Sequence, residues 1–375
     1  MDLLTDTLKR VAPIDHEWIA RAEARQLQLT KPPGSLGRLE EIACRLCAIQ
    51  QTLEPRAARR RIVVFAADHG VAAEGVSAYP QEVTAQMVAN FCAGGAAINA
   101  LTRVAGADLI VIDIGVRGNT QNQIVSAGEG CVNFISQRVR AGTRNMAREA
   151  AMTETEMHAA LRVGIESASE AARAGVTLLG LGDMGIGNTT AASAVTAVLT
   201  RMPPAQVTGR GTGADDTTFA RKIKIIDQAL ALNHPQAADA LDVLRKVGGL
   251  ELAGLCGLCL GAAAARIAII TDGFIATSGA ALAVRLCPAI ADYIFAAHLS
   301  PEPGHRALLD LIGKRPILDL DMRLGEGTGA ALAMNIIVAA VAAFTEMATF
   351  DSAGVSDKSE TQNISHASAM KSSAE

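Results

Sequence analysis

Six short apolar runs recur along the chain: Arg61–Ala67, Leu109–Ile114, Val176–Leu181, Ile267–Thr271, Tyr293–Ala297 and Ile317–Leu320. Each is a continuous, largely β-branched run rather than an alternation, which predicts strands buried on both faces of a parallel sheet. Longer Ala-rich segments separate them, among them Thr189–Thr200, Phe219–Leu232 and Gly254–Arg266, and these carry helical patterning. Strands alternating with helices predict an α/β fold with a doubly wound parallel sheet. The residues that follow the runs are polar: Asp68-His69-Gly70, Gly115, Gly182-Asp183, Asp272-Gly273 and His298-Leu299-Ser300. Ligands of open parallel sheets bind at the carboxyl ends of strands, so these tips are expected to line one crevice, although each alone is equally a turn or a helix cap.

Outside this alternation, Thr5–Gln50 reads as helices around a break at Lys31-Pro32-Pro33-Gly34-Ser35-Leu36-Gly37, where two prolines forbid continuation. Asp351–Glu375 is rich in Ser, Ala, Thr and charge, lacks apolar periodicity, and is expected to be a disordered tail. Gly327 to Thr345 carries no charge and reaches bilayer-spanning length. It is mostly Ala with Gly327, Thr328, Gly329, Asn335 and Thr345, so a buried helix and no membrane span is expected.

Half of the 375 residues are hydrophobic, which permits a large core, and aromatics are only 3%, so Ala, Leu, Ile and Val must build it. Lys and Arg total 34 against 38 Asp and Glu, leaving no global basic field and arguing against nucleic acid as a partner. The seven cysteines are odd in number and the N-terminus lacks a basic-apolar leader, which reads as a reduced, cytoplasmic protein. Cys44/Cys47 and Cys256/Cys259 have C-x-x-C spacing but sit in helical, turn-free stretches, so core thiols are expected and no metal site.

Three glycine-rich stretches carry candidate chemistry. Leu179–Thr190 follows a strand and opens a helix, where backbone N–H groups can cradle a phosphate. It contains G-x-G-x-x-G, yet Arg201 to Arg210 holds no acidic residue to grip a ribose, which weakens a dinucleotide reading. Gly209–Asp216 is followed by Arg221 and Lys222, a loop plus a cation suited to one phosphomonoester. Finally, Glu326 stands between Gly325 and Gly327 just before an apolar helix. It is either a helix N-terminal charge or a general base on bare backbone.

Taken together, KPPGSLGRLE (Lys31–Glu40), AADHGV (Ala66–Val71), SAYPQEVTAQM (Ser77–Met87), GDMGIGNTT (Gly182–Thr190), GRGTGADD (Gly209–Asp216) and RLGEGTGAALA (Arg323–Ala333) resemble the nicotinate-nucleotide:dimethylbenzimidazole phosphoribosyltransferase family, in one order from about Thr30 to Phe344. The resemblance implies a Rossmann-like homodimer, and a chain divided into a small helical domain (1–55 with about 305–350), a large α/β domain (56–304) and the tail (351–375). It implies transfer of the phosphoribosyl group of nicotinate mononucleotide to 5,6-dimethylbenzimidazole, giving α-ribazole 5′-phosphate for cobalamin, with no cofactor. Glu326 is then the base. Lys222 with Gly185, Ile186, Gly187 and Asn188 surround the ribose phosphate; Ser77, Tyr79, Gln86 and Met184 flank the benzimidazole, with Pro33 nearby; and Ser300 reaches the phosphoribosyl part. One departure is that the family has Glu where this chain has Asp183. The chemistry is consistent with a single base, because a pyridinium leaves as a neutral ring while the incoming azole must lose its N–H proton. An NAD-dependent oxidoreductase and a non-catalytic small-ligand carrier are the rival readings.

Overall fold

The structure is a computed structural model, which describes residues 2–118, 120, 133–211 and 213–356. It divides into two compact units, Met1–Ile14 with Ala57–Ile336, and Asp15–Arg56 with Ile337–Glu375. This departs from the expected division at both ends. The first helix, Leu3–Arg10, buries Leu4, and the Tyr293 hydroxyl donates to the Ala12 carbonyl at 2.8 Å, so the first residues belong to the sheet unit. The helix Pro303–Leu311 likewise stays there, with its Gly304 against the Phe274 ring.

The sheet unit holds six parallel strands: β1 (Arg60–Ala67), β2 (Ala107–Gly115), β3 (Asn133–Ser136), β4 (Leu178–Met184), β5 (Ala268–Thr271) and β6 (Ile294–Ala296). Their order is β3-β2-β1-β4-β5-β6. The winding therefore reverses between β1 and β4, and a crevice is expected at the carboxyl ends of that pair. β1 is buried along almost its whole length, as its IVVFAA core requires.

Two sequence expectations need correction. Ile317–Leu320 is not a strand: it follows Pro316 and joins β6's neighbourhood by one bridge, His298 to Leu318. Conversely, β3 (NFIS) had no apolar run to announce it, because it is an edge strand with mostly exposed residues. β4 also runs further than Leu181, so Asp183 and Met184 sit in register with Phe65 and Ala66 of β1 rather than in the turn beyond.

Small residues let the helices approach closely. Leu250–Ala264 is buried on every side; a Cβ on Gly254 would lie 2.8 Å from the Phe65 ring, and one on Gly164 of the helix Glu154–Arg173 would lie 2.6 Å from the Leu258 nitrogen. The helix Thr328–Glu346, charged only at its last residue, is long and apolar enough to cross a membrane, but its first turns lie on the sheet: a Cβ on Gly180 would lie 3.2 Å from Ala330 and 3.1 Å from Met334. Cys256 and Cys259 are wholly buried and burial pushes both thiols far up, which makes them core groups.

In the second unit, the helices His16–Gln28 and Arg38–Gln50 flank the expected break, where Lys31 pairs with Glu40 at 2.7 Å and Pro33 is exposed. Burial raises Cys44 to about 11 and Cys47 to about 12. Within the expected tail, Phe350–Ala353 forms a short helix capped by Thr349; residues 357–375 lie outside the described residues.

Candidate active site

A cleft opens at the carboxyl ends of the central strands, and eight of the expected site residues line it: Ser77, Asp183, Met184, Gly185, Ile186, Gly187, Asn188 and Ser300. Thr189, Gly211, Glu302, His298 and the rim residues Arg323 and Leu324 complete much of its wall. The other expected residues lie elsewhere. Tyr79 is half exposed and Gln86 sits on the exposed side of the helix Glu82–Cys92, so neither lines the cleft. Pro33 belongs to the second unit.

Lys222 is behind the wall rather than in it. Its chain is 1% exposed and its ammonium donates to Thr189 Oγ1 at 2.9 Å and to the Gly209 carbonyl at 3.2 Å. Burial brings its pKa down to about 8, opposed by the charge of Glu302. Glu302 accepts the Gly211 N–H at 2.8 Å, so a cation and an anion brace the two ends of the same glycine loop.

At the end of β4 the turn Gly185-Ile186-Gly187 enters the helix Asn188–Thr200 through Gly187, which has φ +94 and no side chain to cap it. A Cβ at Gly185 would overlap the Ala67 carbonyl of β1, so glycine is required there. The Ile186 N–H is not directed to a ligand: it donates to Thr84 Oγ1 at 3.1 Å. Asp183, 4% exposed, takes a hydrogen bond from Asn188 Nδ2 at 2.9 Å. Burial first, and then the negative charges of Asp272, Glu251 and Glu326, hold its carboxyl well above the usual range.

Glu326 is the more unusual residue. It has φ +63 between Gly325 at +88 and Gly327 at +85, three left-handed residues in succession. Only glycine adopts that backbone without cost, so a carboxylate held there signals an imposed position. Its side chain is 5% exposed, with Oε2 3.4 Å from the Ile98 N–H, and its own N–H donates to the Asp183 carbonyl at 3.3 Å. Burial raises its pKa; the Ile98 amide opposes that and the Asp272 charge adds to it. Glu326 lies beside Gly325 of the cleft wall without itself lining it.

Beyond the expected site residues, the sequence reading missed partners that only the fold brings together. Asp272 accepts the N–H groups of Gly327 (2.9 Å) and Gly329 (2.7 Å). His69 and Glu251 form a buried pair at 2.7 Å beneath the Gly187 turn. A lone Glu in the apolar LELAGLCG stretch was the one signal available for the second of these. Among the described residues no group of three or more His, Cys, Asp or Glu is placed to hold a metal ion.

A family model described as phosphoribosyltransferase matches residues 11–355. Nicotinate-nucleotide–dimethylbenzimidazole phosphoribosyltransferases of Geobacter metallireducens and Chloroflexus aggregans are 53% and 51% identical, over 95% and 96% of this chain and 98% and 100% of theirs. The chain belongs to that enzyme family. A crystal structure of the Thermus thermophilus phosphoribosyltransferase of the same name is also similar, with TM-score 0.84 and 48% identity, covering 92% of this chain and all of that one. A second, titled CobT from Thermus thermophilus, gives TM-score 0.85 and 49% identity over 91% and 99%. Membership in this pentosyltransferase family disfavours the oxidoreductase and carrier readings.

Proposed function

We propose that the protein transfers the 5-phosphoribosyl group of nicotinate mononucleotide to 5,6-dimethylbenzimidazole or a related base, in assembly of the cobalamin lower ligand. The substrates follow those in the names of the relatives. The phosphate goes to the glycine loops braced by Lys222, and the reacting ring to the part of the cleft near Met184 and Leu324. The azole nitrogen attacks C1′ on the face opposite the pyridinium, whose C–N electron pair returns to the ring. Nicotinate departs, configuration inverts from β to α, and the azole N–H proton passes to the Glu326 carboxylate. A departing neutral ring needs no proton, so one base is enough.

The observation that carries this assignment is Glu326's left-handed backbone inside a glycine turn beside the cleft, a conformation that a mere helix-end charge does not require. Asp183 is the less suitable base because burial and the neighbouring acids raise its pKa and favour its neutral form. Purified protein given nicotinate mononucleotide and a panel of benzimidazoles, purines and phenols tests the proposal. Equimolar nicotinate and α-ribotide, identified by mass and by the anomeric NMR signal, is the expected result; absence of transfer to every base, or a β product, contradicts it. The proposal includes a cytoplasmic homodimer, checked by light scattering at micromolar concentration.

A further inference from the structure

The Gly325–Gly329 turn has an unfavourable backbone, and its one internal side-chain tie, the Thr328 hydroxyl donating to the Gly325 carbonyl at 2.8 Å, leaves the Gly327 and Gly329 N–H groups to be held from outside the turn. Three consecutive residues are left-handed, and the helix that follows begins at Thr328 with glycines on either side. Its first N–H groups would be orphans in a buried setting. Both Gly327 and Gly329 instead donate to Asp272, one to each carboxylate oxygen, at 2.9 and 2.7 Å. Asp272 follows β5 and is fully buried, so the sheet itself anchors the turn.

The surroundings of Asp272 are shaped to keep that carboxylate in place. His298, one residue beyond the run that ends β6, brings Nε2 to 3.5 Å from Oδ1. A Cβ on Gly329 would overlap the His298 ring and lie 2.7 Å from Asp272 Oδ1, and one on Gly273 would lie 3.0 Å from His298 Nε2. Glycine at 273 and 329 therefore permits the imidazole, the carboxylate and the turn to meet.

We propose that Asp272 is a positioning residue: by gripping the amides on the far side of Glu326, it fixes the left-handed turn and so the place of the Glu326 carboxylate. The inference rests on the reading of Glu326 as the base. Asp272 touches no reacting atom and acts through the backbone. Asn at this position keeps the size but offers one acceptor oxygen for two N–H donors and turns an NH₂ group toward the other. The turn loses one of its two ties, and displacement of a catalytic group by about 1 Å costs about 10²-fold in rate.

A double-mutant cycle with Glu326→Gln is the test, with turnover and KM for the mononucleotide measured beside amide exchange at Gly327 and Gly329. Asp272→Asn is expected to lower kcat by about 10²-fold, to leave KM within about threefold, and to speed exchange at both amides. The double variant should be no slower than Glu326→Gln alone, to within about threefold, because a displaced turn costs nothing once the base is gone. Losses that multiply, or Asp272→Asn at wild-type turnover, overturn the inference. Should Asp272→Asn fail to fold, Asp272→Glu keeps the charge while pushing the turn away, and must show the same fall in kcat; full activity overturns it. If Glu326→Gln itself proves active, the base assignment has failed, and faster exchange at the two amides in Asp272→Asn then judges the grip alone: unchanged exchange overturns it.

Discussion

Two glycine turns at the same edge of the sheet each carry a carboxylate, one on the strand that leads into its turn and one inside the turn, and they treat it in opposite ways. Within β4, Asp183 lies on regular strand backbone, in register with Phe65, and takes a hydrogen bond from the amide of Asn188. Three other acids press on it, so its cheapest state is neutral. In the second turn, Glu326 sits on left-handed backbone, receives the Ile98 amide, and has the N–H groups of Gly327 and Gly329 beyond it taken by Asp272. Its carboxyl is raised, but with a backbone donor to favour the ion. The lesson is that proximity to the cleft does not select the base. Asp183 lines the cleft and Glu326 does not, yet it is Glu326 that an imposed left-handed turn and a backbone donor hold in place, which is why we propose it as the base.

The comparison breaks most visibly if the two acids are neutralised in turn. Glu326→Gln is expected to lower turnover roughly 10²–10⁴-fold, while Asp183→Asn, which replaces a carboxyl that burial biases toward its neutral form, should cost far less in the same assay. Equal losses would erase the distinction between the turns.

A smaller effect concerns what holds the first turn. Thr84→Val removes the acceptor of the Ile186 N–H and leaves that buried donor unpaired, which costs about 1–3 kcal/mol of stability. Denaturant titration measures it; an unchanged midpoint would mean that the amide finds another partner.

The smallest effect is a slope. Asp183 holds its proton in the folded state at pH values where the unfolded chain has released it, so its favourable contribution is complete below the ordinary carboxylate pKa and is lost as pH rises toward the raised folded value. Asp183→Asn should therefore lose less melting temperature than the wild type as pH rises above the ordinary carboxylate pKa. Parallel curves would show that Asp183 is ionised throughout.

How much of this was legible beforehand depended on whether the information was local. The IVVFAA run announces β1 by itself, and the Gly-Glu-Gly spacing marks Glu326 without any knowledge of its surroundings. The edge strand NFIS could not be read, because one exposed side removes the continuous apolar run. Asp272 was visible as a strand tip, but its partner Gly327 lies 55 residues further on, and no pattern in the chain links them. Tyr79 and Gln86 are the reverse case: a motif, not a pattern, carried them into the expected pocket wall, and in the structure both are exposed beside the cleft lining rather than in it. Lys222 was expected around the phosphate, and its ammonium is turned to Thr189 and the Gly209 carbonyl, contacts that no local spacing announces.

The central claim, that Glu326 removes the azole proton, is tested most directly by an acceptor without that proton. With 1,5,6-trimethylbenzimidazole the free ring nitrogen attacks C1′ and the product is a benzimidazolium cation, so no base is needed. Turnover of wild type and Glu326→Gln is measured with this acceptor and with 5,6-dimethylbenzimidazole on the same preparations. The account predicts a roughly 10²–10⁴-fold gap between the two proteins with the dimethyl base that closes to nearly nothing with the trimethyl base. An equal gap with both acceptors would contradict it, since Glu326 would then be serving position or charge rather than proton removal.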